Sequence, residues 1–307
     1  MYSTIRNQTF ANYSDDAAAH FSSLKVAYLV FYTLISILIT AANLFVICLF
    51  IFKIKEKSFT NLLFMSLALS DLAVGLLALP IEIAFEMDES LFKNIAFRLF
   101  TDVIANAQTP VSLNCLLSLT IHRFLLVTRP FETTEKMTRS KKFILALNWL
   151  SAYGIIFVLF LSNCLFGSQP FDIYNSPTLT YILLIISMIY YISMALAIIS
   201  FTSVTILMLS RQRGIRQSMT NGLVINNNTH TIKHRRSIIC LLLFIVTVIL
   251  SQSLYASLMP FRVLDLQVSL MLANATICIS FFNSLLDPII LIFFHDPVKI
   301  ESKLFLD

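Results

Sequence analysis

The stretch Val26–Phe52, VAYLVFYTLISILITAANLFVICLFIF, decides the fold class. It runs for 27 residues between Lys25 and Lys53 without one charged side chain. A helix needs roughly 20 apolar residues to cross the hydrocarbon core of a bilayer. The stretch is therefore long enough to span a membrane as a single helix.

The rest of the chain has the same character. Of its 307 residues, 57% are hydrophobic and only 13% are charged, and the mean hydropathy is +0.81. Soluble domains are about one quarter charged, so this chain lacks the polar surface that a water-soluble core requires. No Ser/His/Asp, metal or phosphate-binding constellation indicates an enzyme. The composition predicts an all-α membrane protein.

Six further apolar stretches predict a bundle of seven membrane-spanning helices in a single domain, residues 26–294. We name them spans 1 to 7, with predicted limits 26–52, 58–84, 96–124, 143–167, 178–210, 235–260 and 266–294. Residues 1–25 form a predicted extracellular tail. Residues 295–307 form a short cytoplasmic tail, which is predicted to fold as an amphipathic helix along the membrane surface.

The distribution of Lys and Arg predicts the orientation. The segments 53–57, 123–142, 211–236 and 299–303, which include the ends of the adjoining spans on one side of the membrane, hold 17 of the 22 basic residues, and such an excess is typical of the cytoplasmic side. The sequence thus predicts a multi-pass plasma membrane protein with an extracellular N-terminus. Its positive charge faces membrane lipid, and no nucleic-acid partner is expected. Two sequons on the predicted outer side indicate glycosylation at Asn7 and Asn12.

Two acidic side chains interrupt the apolar spans. Asp71 lies in the middle of span 2, and Asp287 lies in span 7. A carboxylate inside a bilayer costs about 2.5–3.5 kcal/mol on insertion scales, so it needs a proton, a cation or hydrogen-bond donors. Further oxygens come from Ser112, Asn283 and Ser284. The residues alone leave two interpretations open: a site for a small monovalent cation held by hard oxygens, or protonated acids that join helices.

Five short motifs occur in spans 1, 2, 3, 4 and 7. They are Ala42-Asn43-Leu44-Phe45-Val46, Leu67-Ala68-Leu69-Ser70-Asp71, His122-Arg123-Phe124, the single tryptophan Trp149, and Asn283-Ser284-Leu285-Leu286-Asp287-Pro288. In this order they resemble the signatures of the rhodopsin-like G-protein-coupled receptors, and the resemblance covers the whole chain. It implies a seven-helix receptor that transduces an extracellular ligand to heterotrimeric G proteins.

The resemblance also implies roles for individual residues. Asn43, Trp149 and Pro288 would be helix anchors. Arg123, flanked by His122 and Phe124, would face the cytoplasmic cavity and engage the G protein once span 6 swings outward. The family's sodium pocket is matched by Asp71, Ser112, Asn283, Ser284 and Asp287. An allosteric Na⁺ or a proton at Asp71 is therefore expected, and no other cofactor.

The ligand is not identified by the sequence. Ala105 stands where amine receptors carry an aspartate, so a monoamine is not expected. The predicted ligand pocket is formed by Glu82, Asp102, Ala105, Gln108, Thr109, Gln252 and Tyr255. Its acids favour a peptide or a cationic molecule, and its neutral members would suit a small neutral one. Helix-to-helix hydrogen bonding stays open as the role of the neutral polar residues.

Several positions depart from the family pattern. Val248, Leu250 and Leu291 replace its toggle tryptophan, kink proline and final tyrosine. His122 replaces the acid that restrains Arg123, which predicts raised ligand-independent activity. A seven-span decoy or scaffold without signalling is the alternative, and a cation-coupled transporter is a less favoured one.

One departure points to a subgroup of the family. Arg98 takes the place of the cysteine that forms the family's external disulfide. The melanocortin-type receptors also lack this cysteine, and this chain resembles them there.

Overall fold

A computed structural model describes residues 15–55, 58–88, 95–129, 136, 138–166, 239–251 and 270–306, with isolated helical positions between 185 and 203. These residues are helical apart from short connections and one isolated antiparallel bridge between Ser58 and Lys136. This confirms the predicted all-α class. The expected glycosylation sites Asn7 and Asn12 and the pocket residues Gln252 and Tyr255 lie outside the described residues.

The described helices overlap predicted spans 1, 2, 3, 4, 6 and 7, and predicted span 5 lies outside the described residues apart from its isolated helical positions. Their bounds are Asp15–Cys48 with a π-helical turn Leu49–Lys53 (span 1), Phe59–Ala73 and Leu79–Met87 joined by a π-helical turn Val74–Ala78 (span 2), Ile95–Thr128 (span 3), Arg139–Phe166 (span 4), Ile239–Ser251 (span 6), Leu270–Phe294 (span 7) and Asp296–Leu306. The last is the predicted C-terminal helix. Span 1 begins within the predicted extracellular tail, and the predicted bilayer limits of the spans stay predictions.

The length and hydropathy of the described helices fit a bilayer. Three described stretches are long and apolar enough to cross it, namely Lys25–Lys53, Phe59–Met87 and Arg139–Val158, and shorter apolar helices occur within spans 3, 6 and 7. Large apolar side chains are exposed on their outer faces; Leu150 of span 4 is 70% exposed. Such faces suit contact with lipid tails.

Spans 2 and 3 form the centre of the described bundle. Span 3 packs against spans 2 and 4, while span 1 packs against spans 2 and 7. The core between them is apolar and fully enclosed, with Leu63, Leu67, Leu116, Phe244 and Leu291 all buried. The C-terminal helix packs on span 7 and on the π turn of span 1, and it is anchored by the buried Val298.

The π turn in span 2 comes directly before the helix Leu79–Met87, whose first turn holds Pro80. The Leu79 N–H bonds to the Val74 carbonyl, five residues back, and the Gly75 carbonyl accepts from the Ser36 hydroxyl of span 1 at 2.7 Å. A Cβ on Gly75 would lie 2.5 Å from Thr40 Oγ1 and 2.9 Å from the Thr40 backbone nitrogen. The absent side chain thus permits the close approach of spans 1 and 2.

Candidate functional site

The predicted pair of acids comes together at the centre of the bundle. Asp71 and Asp287 are each 1% exposed, and their carboxyl groups are close enough to interact electrostatically. The Ser284 side chain also lies near Asp71. Spans 2 and 7 therefore meet at a polar contact with two carboxylic acids and one hydroxyl.

Oxygens outnumber donors around this contact. Among the described residues, the buried side-chain polar atoms with no hydrogen-bond partner are five oxygens: Asn43 Oδ1, Asp71 Oδ2, Asn283 Oδ1, Asp287 Oδ1 and Asp287 Oδ2. Each of these oxygens can accept a hydrogen bond, and leaving a buried acceptor without a partner lowers the stability of the folded protein. A cation could bind several of these oxygens together, whereas a shared proton would join one oxygen of Asp71 to one of Asp287.

Asn43 connects span 1 to the same region. Its side-chain amide donates to the Ser284 carbonyl at 2.9 Å and to the Ile39 carbonyl at 3.0 Å. Ser284 lies four residues before Pro288, whose missing N–H leaves that carbonyl without its helical partner. The predicted anchors Asn43 and Pro288 are thus two halves of one contact.

Ser112, the fifth predicted member of the pocket, contacts Ser70. The Ser112 hydroxyl donates to Ser70 Oγ at 3.2 Å, and the Ser70 hydroxyl donates to the Gln108 backbone carbonyl at 3.0 Å. Ser70 is the neighbour of Asp71 in span 2. Ser112 therefore binds span 2 to span 3 through Ser70, and its membership of the cation pocket stays a prediction.

Gln108, a predicted ligand-pocket residue, is 1% exposed. Its amide nitrogen donates to the Tyr153 hydroxyl of span 4 at 2.6 Å and to the Ile104 carbonyl at 3.2 Å. These contacts show the helix-to-helix role that the sequence left open for Gln108. Of the other pocket residues, Glu82 is half-buried in Leu79–Met87. Asp102, Ala105 and Thr109 belong to the span 3 helix, but their side chains are not among those the structure describes.

Trp149 fixes span 4 against span 2. Its indole nitrogen donates to the Ser66 hydroxyl at 2.7 Å, and its ring stacks on Tyr153 at 6.0 Å with an interplanar angle of 9°. The Cys115 thiol of span 3 also contacts Ser66, at 3.4 Å. Sequence analysis did not single out Ser66 or Tyr153, although Ser66 and Ser70 lie four residues apart on one face of span 2.

The C-terminal end of span 3 carries the predicted coupling residues. Arg123 and Phe124 are half-buried, and Arg123 lies within electrostatic range of Cys240 in span 6. His122 is 3% exposed and packs edge-on against Phe59, with 4.9 Å between ring centroids. Span 3 thus presents Arg123 beside span 6 while His122 is packed against the start of span 2.

A second histidine occupies the junction between span 7 and the C-terminal helix. His295 Nε2 lies 2.9 Å from Asn61 Oδ1 of span 2, and its ring contacts Phe64 at 4.7 Å and Phe50 at 6.3 Å. Phe64 in turn stacks on Phe244 of span 6 at 5.7 Å. Sequence analysis missed this cluster, because its members come from four separate segments.

The described residues contain no group of three or more His, Cys, Asp or Glu side chains that could hold a metal ion. Any cation at the acid pair would therefore depend on two carboxylates together with amide and hydroxyl oxygens. Such ligands suit a hard cation of low charge. The described cysteines Cys48, Cys115, Cys240 and Cys278 form no disulfide.

Comparison with known proteins gives a consistent result. The family of 7 transmembrane receptors (rhodopsin family) matches residues 42–291. An alignment over 48% of this chain gives 30% identity to adenosine receptor A2b of Gallus gallus. An alignment over 56% of this chain gives 27% identity to neuropeptide Y receptor type 6 of Mus musculus. The structure resembles squid rhodopsin with a TM-score of 0.76 and 16% sequence identity, over 92% of this chain and 85% of that one.

These matches differ in what they cover. The aligned part spans 40% of the adenosine receptor and 48% of the neuropeptide Y receptor, so the chain matches less than half of the length of either relative. The likeness to squid rhodopsin extends over nearly the whole chain and concerns the fold alone.

Proposed function

The chain belongs to the rhodopsin family of seven-transmembrane receptors, and on that premise we propose that it transduces an extracellular ligand to a heterotrimeric G protein. It would act as a receptor in the plasma membrane and not as an enzyme. The basic segments after spans 1, 3, 5 and 7 support an extracellular N-terminus and a cytoplasmic face for the G protein.

The position of Arg123 is the observation that carries this proposal. The side chain is half-buried at the C-terminal end of span 3, within electrostatic range of Cys240 of span 6, and the distribution of basic residues supports a cytoplasmic position for this end. An outward movement of span 6 would open the space next to the guanidinium group. Arginine presents five donors in a rigid plane, which suits the capture of backbone carbonyls on an inserted partner.

The ligand class follows less directly. Glu82 and Glu86 are half-buried on the outer segment of span 2, one helical turn apart. Two acids there favour a peptide or a small cationic molecule by electrostatic attraction. The two vertebrate relatives are named for a nucleoside and for a peptide, so similarity alone does not select between these ligands.

The test is ligand-free G-protein activation across a panel of Gα types. Cells would express wild type, Arg123→Ala and Arg129→Ala at matched surface levels. Arg129 is an exposed arginine that follows the same helix, so its replacement controls for the loss of one cytoplasmic positive charge. We expect basal signalling that Arg123→Ala abolishes and Arg129→Ala retains.

The absence of any basal signal would bear on the alternative function, a seven-span protein that does not signal. Equal signals in all three proteins, with no Gα type activated above untransfected cells, would leave two functions, a receptor that is silent without its ligand and a seven-span decoy or scaffold, and ligand screening would separate them. The departures at His122, Val248, Leu250 and Leu291 make this outcome informative, because each removes a part that the family uses for activation.

We also propose that the acid pair holds a sodium ion or a shared proton that regulates this receptor. Asp71, Asp287, Asn283 and Asn43 contribute the five buried oxygens without partners, and Ser284 and Ser112 lie at the margin. One positive charge would offset repulsion between the acids and satisfy several acceptors together. It would tie span 2 to span 7 and so favour one arrangement of the bundle.

A further inference from the structure

Three aromatic rings form a continuous row at the cytoplasmic side of the bundle. The imidazole of His295 lies 4.7 Å from the ring of Phe64 in span 2. The Phe64 ring lies 5.7 Å from Phe244 in span 6, at an interplanar angle of 29°. This His295–Phe64–Phe244 row joins the start of the C-terminal helix to span 6 through span 2.

The row is fixed at its histidine end. His295 Nε2 lies 2.9 Å from Asn61 Oδ1, and an amide oxygen only accepts, so the ring donates from Nε2. Asn61 precedes Phe64 by three residues, which places both side chains on one face of span 2. The hydrogen bond therefore holds the imidazole where it meets the Phe64 ring.

The other end of the row lies on the part of span 6 next to Arg123. Phe244 is fully buried and Phe64 is 4% exposed. Cys240, one turn before Phe244, is 1% exposed and lies within electrostatic range of Arg123. Any outward movement of this end of span 6 must separate Phe244 from Phe64 and expose Cys240.

Leu291 of span 7, which is 1% exposed, offers no ring at this level of the bundle, so the described aromatic contacts of span 6 come from span 2. We propose that the His295–Phe64–Phe244 row restrains span 6 in the resting receptor, with His295 as the residue that positions Phe64. The proposal rests on the proposed function, because the restraint acts on the movement that admits a G protein.

The buried thiol of Cys240 supplies a direct measure of this movement. Purified receptor in lipid nanodiscs, without ligand or G protein, would be treated with N-ethylmaleimide, and the modified fraction at each cysteine would be followed by mass spectrometry. Phe64→Leu removes the central ring. His295→Gln removes the terminal ring but can still donate to Asn61.

Both variants should label Cys240 about fivefold faster than wild type. Aromatic contacts of this kind are worth about 1 kcal/mol, which converts to a change of that size in the open population. Phe50→Leu is the matched control, because Phe50 also contacts His295, at 6.3 Å, but lies on the π turn of span 1 and outside the row. It should label Cys240 at the wild-type rate.

Cys115 in span 3 separates local opening from unfolding, since it is 2% exposed and should stay protected in every variant. Unchanged Cys240 labelling in both Phe64→Leu and His295→Gln would overturn the proposal. So would equal acceleration in Phe50→Leu, or equal acceleration at Cys115, because the row would then stabilise the whole bundle. The assay contains no G protein, so a receptor that fails to couple still reports on the row.

Discussion

Asn43 and Pro288 show how a single side chain compensates for a missing backbone donor in another helix. Pro288 deprives the Ser284 carbonyl of its helical partner, and the Asn43 amide donates to that oxygen at 2.9 Å. The sequence predicted both residues as anchors only through family resemblance. Their mutual dependence needed the structure, because 241 positions separate Asn43 from Ser284.

This dependence predicts a non-additive pair of substitutions. Asn43→Ala should lower stability by about 1–3 kcal/mol, since it leaves a buried carbonyl without a donor. In a Pro288→Ala background, residue 288 regains an N–H that can reach Ser284, so the same Asn43→Ala change should cost less. Thermal unfolding of the four proteins of this double-mutant cycle measures the difference.

Asn43→Ala creates the same small cavity in both backgrounds, so the free-energy cost of that cavity cancels in the double-mutant cycle. Equal costs of Asn43→Ala with and without Pro288 would show that the amide stabilises the bundle through another contact. The Ile39 carbonyl, at 3.0 Å, would then be the principal partner.

At the scale of the helices, the sequence predicted span 2 correctly as one apolar stretch but not its internal shape. Pro80 and Gly75 were both visible in the sequence. The structure shows a π turn over Val74–Ala78, which contains Gly75 and comes directly before the helix that holds Pro80. Within it, the Gly75 carbonyl accepts a hydrogen bond from the Ser36 hydroxyl of span 1. Residue patterns within one span do not contain that partner.

Gly75 yields a prediction with a matched control in span 4. Gly75→Ala would place a Cβ 2.5 Å from Thr40 Oγ1 and 2.9 Å from the Thr40 backbone nitrogen, so spans 1 and 2 must separate. We expect a loss of about 1–3 kcal/mol, which is typical of overpacking. Gly154→Ala meets nothing within 4 Å and should be neutral or stabilising by about 0.5–1 kcal/mol.

Melting temperatures of the two variants check this difference. Thr40→Ala should rescue Gly75→Ala only in part, because it removes the hydroxyl contact and leaves the backbone contact. Similar melting temperatures for Gly75→Ala and Gly154→Ala would mean that the close approach of spans 1 and 2 is not required for stability.

The role of Gln108 could not be predicted from the sequence, because it depends on how the helices pack. A neutral polar residue in span 3 fits a ligand pocket and a helix contact equally well by sequence. The choice depends on which helix lies beside it, and Tyr153 of span 4 provides a hydroxyl at 2.6 Å. The acids Asp71 and Asp287 were easier to interpret, because burial of charge in a bilayer narrows the possible roles.

For the molecule as a whole, composition and charge distribution were enough to predict the bundle. The limits of the spans, taken from apolar length, and the orientation, taken from Lys and Arg, stay predictions. Contacts between spans were beyond reach, as the His295–Phe64–Phe244 row shows, because ring packing depends on helix rotation and crossing. For the acid pair, the sequence predicted the two residues, and the structure shows the buried oxygens without hydrogen-bond partners.

This excess of acceptors predicts that sodium stabilises the whole bundle. Thermal unfolding would be compared in NaCl and in choline chloride at equal ionic strength, since choline is too large for a site between helices. Wild type should melt higher in NaCl, because binding to the folded state alone adds about 1.4 kcal/mol when Na⁺ is tenfold above its Kd.

Asp71→Asn should abolish the difference between the two salts, because it removes one carboxylate of the pair. Glu86→Gln makes the same acid-to-amide change at the half-buried outer end of span 2 and should keep it. Equal melting of wild type in both salts would exclude sodium and favour a proton shared by Asp71 and Asp287. A salt effect that survives in Asp71→Asn would show that the Asp71 carboxylate is not needed to bind the cation, and it would overturn the proposed site.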